Sequence, residues 1–347
     1  MKILVIRFRQ MGDAIIATSV LNTLRHNFPD ADLDFVLNER LASLFEGHHS
    51  INRIITFTEK ERHSPFVYAK KVWEIVHTTH YDVIIDLRST FNTMLFSLFS
   101  LSTTYRIGVK KNYTRWVFNY QISDSVVDED MVRHDLEFVK PLNKIREIEL
   151  IRDFTLEINE EELERYRTYM QYAGIDFSKP VVLVGVTSKL DRKTWSEENM
   201  VWLLRMFIQQ YPDVQLIFNY APGKEEVIAR RIYSCLSTKN VFIDIKAESM
   251  RQLVAMSELI TFYFGNEGGA RHIVHAVGHP SYVICSPEAK KKIWIPINKI
   301  PSEAIDIYDF ASESEMLSLD NQQRYALITK ERVWAGLETF IKENNLL

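Results

Sequence analysis

A short apolar run followed by a segment with helical spacing occurs at the start of each half of the chain. This repetition limits the possible folds more than any other feature of the sequence. Short apolar runs, ILVI at 3–6 and VVLVGV at 181–186, are each followed by segments whose apolar residues have helical spacing. Uninterrupted runs rich in Val and Ile are typical of parallel strands that are buried on both faces. Further strands alternate with helices in both halves, as they do in βαβ units. The sequence therefore predicts an α/β protein with two doubly wound parallel sheets.

A charged helix ending at Gly174, followed by Ser178-Lys179-Pro180, separates the two halves. We predict domains over 1–165 and 175–320 and a C-terminal helix within 321–347, for which packing back on the first domain is one option. Strands are predicted over 2–8, 33–37, 51–57, 83–87, 181–186, 214–219, 241–243, 259–264 and 281–285. Helices are predicted over 14–27, 66–77, 157–174, 200–210, 225–236, 250–257, 272–277 and 322–343.

Composition excludes several classes of protein. The 42 Lys and Arg residues against 46 Asp and Glu residues give a net charge of −4, without the basic excess of a dedicated nucleic-acid binder. The two cysteines, Cys235 and Cys285, fit a reducing compartment and cannot form a zinc site alone. No apolar run has the length of a transmembrane helix or a signal-peptide core. We expect a cytoplasmic protein without a metal site or a transmembrane segment, with contact to a membrane surface as an option.

Several common nucleotide-binding and hydrolase motifs are missing. The turn after the first strand contains one glycine, Gly12, instead of G-x-G-x-x-G, and the chain has neither a P-loop nor a G-x-S-x-G elbow. In open α/β sheets, ligands bind outside the carboxyl ends of the strands. Residues that follow predicted strands are therefore the candidates for function, and two such halves predict a cleft between them.

The first candidate is Asp13, in the turn between the first strand and the first helix. A carboxylate at this edge can act as a general base toward a substrate hydroxyl. The alternative is that Asp13 only caps the helix, as aspartate often does.

The second candidate is the segment GNEGGARH at 265–272, which follows a strand and opens a helix. Gly268 and Gly269 let backbone N–H groups approach an anion such as a diphosphate. Glu267 can accept hydrogen bonds from sugar hydroxyls. A plain turn, with Glu267 favoured by the helix dipole, is the alternative.

Two further loops follow strands of the second half. Thr187 and Ser188, with Lys193 beyond them, can hold a phosphate, and Glu225 can bind a ribose diol. The alternatives are a solvated polar loop and an acidic residue in the first turn of a helix.

A stretch of basic and aromatic residues in the first half can give it a positive face for an anionic acceptor at a membrane. A solvated surface is the alternative. The residues are Lys60, Arg62, Lys70, Lys71, Tyr105, Arg106, Lys110, Lys111, Tyr113, Arg115 and Trp116.

Taken in order, three segments resemble a known family, the bacterial lipopolysaccharide heptosyltransferases of glycosyltransferase family 9. ILVIRFRQMGDAIIATSVLNTLRHNFPDADLDFVL resembles the family's N-terminus, and YDVIIDLRSTFNTMLFSLFSLSTTYRIG resembles its next segment. FGNEGGARHIVHAVGHPSYVICSP resembles its donor-site signature, N-D-x-G-x-x-H followed by a helix and G-x-P. The similarity runs over about residues 1–300.

The resemblance implies a GT-B fold of two Rossmann-like domains, the first for the acceptor and the second for the nucleotide sugar. It implies transfer of heptose from ADP-heptose to an inner-core lipopolysaccharide sugar, with inversion, with no metal or other cofactor, and with Asp13 as the base. The acceptor would be an anionic glycolipid at the inner membrane, reached by Arg62, Arg106, Lys110, Lys111 and Arg115. The positions that match the family's donor site are Thr187, Ser188, Lys193, Glu225, Glu267, Gly268, Gly269 and His272.

The chain departs from the family pattern at three places. Glu267 replaces the donor-site aspartate, Arg271 replaces a small residue, and Ser286-Pro287-Glu288 replaces G-P-T. These changes leave open a different nucleotide sugar, an inactive GT-B-like binding protein, or a nucleotide-sugar epimerase.

Overall fold

The computed structural model describes residues 1–123, 130–236 and 238–347, and the chain divides into two compact units. The first is Met1–Glu157 and the second is Ile158–Leu347. Each contains one six-stranded sheet in which all neighbouring strands are parallel. The predicted α/β class with two parallel sheets is confirmed.

The first unit has the strand order β3-β2-β1-β4-β5-β6. Its strands are β1 (Lys2–Ile6), β2 (Asp32–Asn38), β3 (Arg53–Phe57), β4 (Val83–Asp86), β5 (Tyr105–Val109) and β6 (Tyr120–Ile122). Its helices are α1 (Met11–Ile16), α2 (Thr18–Asn27), α3 (Glu59–His63), α4 (Pro65–Thr79), α5 (Met94–Leu98) and α6 (Met131–Glu137), with 3-10 turns at Glu39–Phe45 and Lys140–Lys144.

The second unit has the strand order β12-β11-β10-β7-β8-β9. Its strands are β7 (Val181–Gly185), β8 (Gln215–Asn219), β9 (Val241–Phe242), β10 (Phe262–Asn266), β11 (Ser281–Ile284) and β12 (Ser302–Ile305). Its first helices are α7 (Glu160–Tyr172), α8 (Glu197–Gln210), α9 (Lys224–Ser234), α10 (Met250–Glu258) and α11 (Gly269–Ala276). They are followed by α12 (Lys291–Trp294), α13 (Glu313–Met316), α14 (Asn321–Ala326) and α15 (Lys330–Glu343), and 3-10 turns lie at Asp191–Lys193 and Ile307–Asp309.

The two apolar runs that defined the sequence pattern form central strands. Residues 3–6 of β1 and 182–184 of β7 have no exposed surface. β1 pairs with β2 and β4, and β7 pairs with β8 and β10. A strand with neighbours on both edges and helices on both faces needs apolar side chains at every position, which explains the lack of alternation.

Helix boundaries differ from the prediction at both ends of the chain. The apolar spacing predicts one helix over 14–27, but the structure has α1 and α2, separated at Ala17. At the junction the Thr18 and Ser19 hydroxyls donate to the Ile15 and Ile16 carbonyls. Local bonds of this kind compete with regular helical pairing. The predicted helix over 322–343 is likewise split into α14 and α15, and the side chain of Thr329 caps α15.

Strands β5, β6 and β12 are absent from the sequence prediction. β5 and β6 are part of the first sheet, although the segment around Tyr105–Trp116 was interpreted only as a basic and aromatic surface. These strands are short, and polar residues interrupt their apolar positions, so the pattern does not stand out locally.

Helix α15 belongs to the core of the second unit. Val333, Leu337, Phe340 and Ile341 are buried in one cluster with residues of β7, β8 and α8. No described helix combines the length and apolar character needed to cross a bilayer.

Candidate functional site

In the first unit, Asp13 lies at the carboxyl end of β1, in the first turn of α1. Its side chain is largely buried, and its Oδ1 atom accepts hydrogen bonds from Arg9 Nη1 at 2.9 Å and Arg7 Nη2 at 3.4 Å. The N-cap residue of α1 is Gln10, and no side chain caps the helix. The carboxylate of Asp13 is therefore held by two arginines rather than used as a cap, and Oδ2 accepts no hydrogen bond from the described residues.

Three arginines surround this carboxylate. Arg7 is buried and also pairs with Asp135 at 3.1 Å and donates to the Leu87 carbonyl at 2.7 Å. Arg88 is the third, and its pKa is lowered by burial and then by the positive charges of Arg9 and Arg7. Three carboxylates, Asp13, Asp86 and Asp135, accompany these three arginines, and of the arginines only Arg9 and Arg88 are half-buried rather than buried.

The last residue of β4, Asp86, is a buried carboxylate. Asp86 Oδ1 accepts hydrogen bonds from the N–H groups of Arg88 at 2.9 Å and Ser89 at 2.7 Å. Burial raises the pKa of Asp86 to about 6. These bonds fix the loop that carries Arg88, and Ser89 has a positive φ of 49°.

In the second unit, Asn266 connects three loops. Its Nδ2 donates to the Gly185 carbonyl at the end of β7 at 2.9 Å, and its Oδ1 accepts from the Trp195 N–H at 2.7 Å. The Tyr263 hydroxyl donates to the Asn266 carbonyl at 2.6 Å. This buried side chain holds the turn containing Lys193 against the end of β10.

The central contact of this site is an ion pair between Lys193 and Glu267. The Lys193 Nζ atom lies 2.8 Å from Glu267 Oε1, and the Ser286 hydroxyl donates to the same oxygen at 2.8 Å. The three residues follow β7, β10 and β11, so they share one edge of the sheet. A polar group of this kind can hold sugar hydroxyls and phosphate oxygens.

The turn before α11 is open to a ligand. Gly268 is exposed, and a Cβ atom there would meet nothing within 4 Å. The helix begins at Gly269. Backbone N–H groups at a helix start attract anions. His272 is buried in the first turn, and its burial lowers its pKa well below the usual value, so it is neutral.

The remaining predicted donor-site residues lie on the same edge. Thr187 follows β7, is buried, and its hydroxyl has no hydrogen-bond partner among the described residues. Ser188 is half-buried, and its N–H donates to Thr194 at 3.1 Å. Glu225 lies in the first turn of α9, where its carboxylate accepts from the Ala221 N–H at 3.2 Å.

The predicted acceptor residues separate into two groups. Arg62, Lys110 and Lys111 lie beyond the carboxyl ends of β3 and β5, and Lys111 donates to the Ser89 carbonyl at 3.0 Å. Arg115 is exposed in the connection between β5 and β6.

Arg106 lies near the amino end of β5, away from these residues. It donates to the carbonyls of Leu101, Thr103 and Val117 at 2.6–2.8 Å. Its guanidinium holds the surrounding backbone in place through these three hydrogen bonds. We therefore do not propose Arg106 as a residue that binds the acceptor.

Four residues of these sites were given no role from the sequence, although Asn266 and Ser286 stand in segments that the sequence analysis quotes. They are Arg7, Arg9, Asn266 and Ser286. Three of them are adjacent to predicted motif residues, and their position after a buried strand was the available signal. Which atoms they hold depends on contacts between distant segments, which the local pattern does not contain.

One other cluster offers metal-type ligands. One ligand atom each from His48, His49 and Glu157 lies within 4.8 Å of the other two. His48 Nδ1 accepts from the Ser50 N–H at 3.2 Å and Nε2 lies 3.2 Å from the Thr155 carbonyl. Because both nitrogens of this buried ring are engaged, the cluster does not fit a resident metal.

Comparisons with known proteins give the family and the fold. The chain is 19% identical to lipopolysaccharide heptosyltransferase 1 of Campylobacter coli over 309 residues, covering 86% of this chain and 89% of the relative. A crystal structure of a family 9 glycosyl transferase from Veillonella parvula superimposes with a TM-score of 0.85 at 18% identity, covering 99% of this chain and 97% of that chain. ADP-heptose lps heptosyltransferase II of Escherichia coli gives a TM-score of 0.72 at 17% identity, covering 99% of this chain and 100% of that chain.

These structural similarities identify the fold as that of the GT-B glycosyltransferases, as the resemblance implied. The sequence model of glycosyltransferase family 9 (heptosyltransferase) matches residues 69–299, which is most of the chain. With its two parallel sheets, its carboxylate beyond β1 and its polar loops beyond β7, β10 and β11, the chain belongs to glycosyltransferase family 9, the heptosyltransferases.

Proposed function

We propose that this protein is an inverting glycosyltransferase that transfers heptose from ADP-heptose to an inner-core lipopolysaccharide or related surface glycan. The observation that carries the proposal is the state of Asp13. Arg9 and Arg7 both donate to Oδ1, which leaves Oδ2 available to a ligand. A buried carboxylate with one oxygen fixed and the other open is suited to accept a proton from an acceptor hydroxyl.

The reaction needs one base and a stabilised leaving group. Asp13 Oδ2 takes the proton of the acceptor hydroxyl, and the resulting oxygen attacks the anomeric carbon of the donor. The bond from that carbon to the phosphate oxygen breaks on the opposite face, so the configuration is inverted. The electron pair leaves with ADP, whose added negative charge must be neutralised.

In this proposal the second unit neutralises that charge without a metal. Lys193 provides a cation, and the N–H groups at the start of α11 provide the partial positive charge of a helix N-terminus. Thr187 and Ser188 donate hydroxyl hydrogen bonds to phosphate, and Glu225 accepts hydrogen bonds from the ribose. Because Lys193 is paired with Glu267 in the structure, the diphosphate must take over this lysine when it binds.

Glu267 is proposed to hold hydroxyls of the transferred sugar. It is one methylene longer than the family's aspartate, and its Oε1 atom is already engaged by Lys193 and Ser286. The Ser286 hydroxyl donates to this oxygen and holds the longer side chain in one position. A shift of about 1 Å at a reacting centre can cost about 10²-fold in rate, so this anchoring matters.

The first unit is proposed to meet an anionic glycolipid at a membrane surface. Phe66, Phe91 and Tyr113 follow β3, β4 and β5 at the carboxyl edge of the first sheet, and Phe66 is 90% exposed. Nearby are the cations Lys60, Arg62, Lys110 and Lys111. Aromatic and basic side chains together favour the interface of an anionic bilayer.

Asp13→Asn tests the proposal. We expect heptose transfer to fall by about 10²- to 10⁴-fold, the usual contribution of a general base. Binding of ADP, measured by thermal shift with and without EDTA, should persist because Asp13 lies in the other unit from the donor loops. The exposed Asp30→Asn serves as the matched control and should leave turnover unchanged.

Four results would contradict the proposal. Full turnover by Asp13→Asn would remove the assigned base, and loss of the ADP shift in EDTA would indicate a metal. A wild-type protein that binds nucleotide but transfers no sugar to any acceptor would be a GT-B-like binding protein. Sugar isomerisation without an acceptor would instead identify an epimerase.

A further inference from the structure

The first turn of α11 contains two buried N–H donors that have no acceptor in the described structure. They are Arg271 Nη1 and His272 Nδ1. Arg271 is 3% exposed and His272 is 8% exposed. Buried donors without acceptors are rare in folded proteins, because each one loses its hydrogen bonds to water.

The contacts of Arg271 settle which atoms are donors. Its Nη2 atom donates to the Trp294 carbonyl at 3.0 Å and lies 3.0 Å from His272 Nε2. A guanidinium has no acceptor, so His272 Nε2 must accept. The proton of the neutral imidazole is then on Nδ1, and this N–H, like Arg271 Nη1, points to no acceptor.

The charge of Arg271 is also uncompensated. No carboxylate among the residues described lies within ion-pair distance of it, and burial lowers its pKa to about 10, so it stays charged at neutral pH. Arg7 is a useful comparison in the same chain. It is equally buried but is paired with Asp13 and Asp135. A buried charge normally requires such a partner.

The surroundings of Arg271 indicate what the missing partner is. Arg271 follows Gly268-Gly269 by two residues and interacts electrostatically with Glu267. Glu267 is already paired with Lys193. Glu267 therefore does not compensate both Lys193 and Arg271, and one positive charge near the start of α11 has no ion-pair partner among the described residues.

We propose that Arg271 is a binding residue for a phosphate group of the donor, with His272 Nδ1 as a second donor beside it. The proposal rests on the proposed function, because it takes the ligand to be a nucleotide sugar. A guanidinium matches a phosphate through two parallel hydrogen bonds, and the ligand supplies the negative charge that the protein lacks. Arg271 is thus a second cationic contact, in addition to Lys193.

The test compares Arg271→Met with wild type in the full-length protein. Methionine fills similar space without charge. We expect ADP and inorganic pyrophosphate to bind about 10- to 100-fold more weakly, as loss of a charge-assisted hydrogen bond predicts. Adenosine affinity should not change. The melting temperature without ligand should stay equal or rise, because the variant no longer buries an unpaired charge.

Two further variants separate binding from packing. Arg205→Met removes an exposed arginine on α8 and should leave both the stability and the ADP affinity unchanged. Arg271→Lys keeps the charge but not the fork of donors, so ADP binding should weaken less than in Arg271→Met. Should Arg271→Met not fold, unchanged ADP and pyrophosphate affinity in Arg271→Lys would still overturn the inference.

The outcomes distinguish this inference from the proposed function. Equal ADP affinity in wild type and Arg271→Met, with a lower melting temperature in the variant, would show that Arg271 only anchors the loop at Trp294. The proposed function would then stand without it. A wild-type protein that binds neither ADP nor pyrophosphate would overturn both.

Discussion

Replacing Gly265 by alanine should destabilise the second unit more than any other glycine substitution of comparable backbone geometry. Gly265 has a φ of +130°, and a Cβ atom there would overlap the backbone of Gly185 on the paired strand β7, with the Gly185 nitrogen at 2.8 Å. Neither backbone can move without breaking the ladder between the central strands β7 and β10. Gly265 is thus required both for its conformation and for the close approach.

The expected cost follows from these two terms. A non-glycine residue in this φ region costs about 1–3 kcal/mol, and overpacking against fixed atoms adds about 1–3 kcal/mol. Gly47→Ala is the matched control, because Gly47 has a φ of +76° and open space around its Cβ position. The control should lose only about 1–2 kcal/mol, the cost of the left-handed conformation.

Urea unfolding followed by tryptophan fluorescence measures both variants. Gly265→Ala should lower the free energy of unfolding of the second unit by about 2–6 kcal/mol. It should also weaken ADP binding, because β10 leads directly to Glu267. The reasoning would be refuted if Gly265→Ala cost the second unit no more stability than Gly47→Ala costs the first, since both glycines have a positive φ and only Gly265 has the backbone overlap.

Three other measurements test separate parts of the structure. Burial raises the pKa of Asp86 to about 6, so this carboxyl stabilises the fold at low pH and loses that contribution as the pH rises through 6. Relative to Asp86→Asn, the free energy of unfolding of wild type should fall by about 1–2 kcal/mol between pH 5 and 7.5. A difference between the two proteins that does not change with pH would contradict this. Glu267→Gln should bind ADP about 2- to 5-fold more tightly, because Lys193 no longer has to break an ion pair with Glu267 before it binds the diphosphate. Sugar transfer should be slower, because Glu267 is proposed to hold the sugar. Weaker ADP binding in a titration would contradict this prediction. Trp195→Phe should lower the free energy of unfolding by about 1–3 kcal/mol. The variant leaves the buried Ile328 carbonyl without the hydrogen bond that Trp195 Nε1 donates at 2.9 Å. An unchanged midpoint of urea unfolding would show that this hydrogen bond contributes nothing to stability.

The candidate site was predictable only to the level of position. The placement of Asp13, Glu267 and Thr187 at the ends of strands follows from the sequence, because a strand and the helix after it are both local patterns. The state of each side chain was not predictable. From the residues alone, a helix cap was favoured over a base for Asp13, and only the folded chain shows that its carboxylate is held by Arg7 and Arg9 and does not cap α1.

Arg106 and Arg271 show the same limit for charged residues. In the sequence, Arg106 is part of a basic surface pattern, and Arg271 stands where the family has a small residue. The structure uses Arg106 to bind three carbonyls of its own unit, and it buries Arg271 with no carboxylate at ion-pair distance among the described residues. The partners of a long side chain come from whichever segments pack beside it, so spacing along the chain does not identify them.

The sequence by itself determined the fold class, the two sheets and the loops that carry the site. Apolar runs such as 3–6 and 181–186 are typical of buried central strands, and the loops at the carboxyl ends of such strands are where open α/β sheets bind ligands. The tertiary structure alone decided the hydrogen bonds and charges within the site. Arg7 meets a carbonyl 80 residues away, and Trp195 meets one 133 residues away. Contacts at such separations depend on the packing of whole elements, which local sequence patterns do not encode.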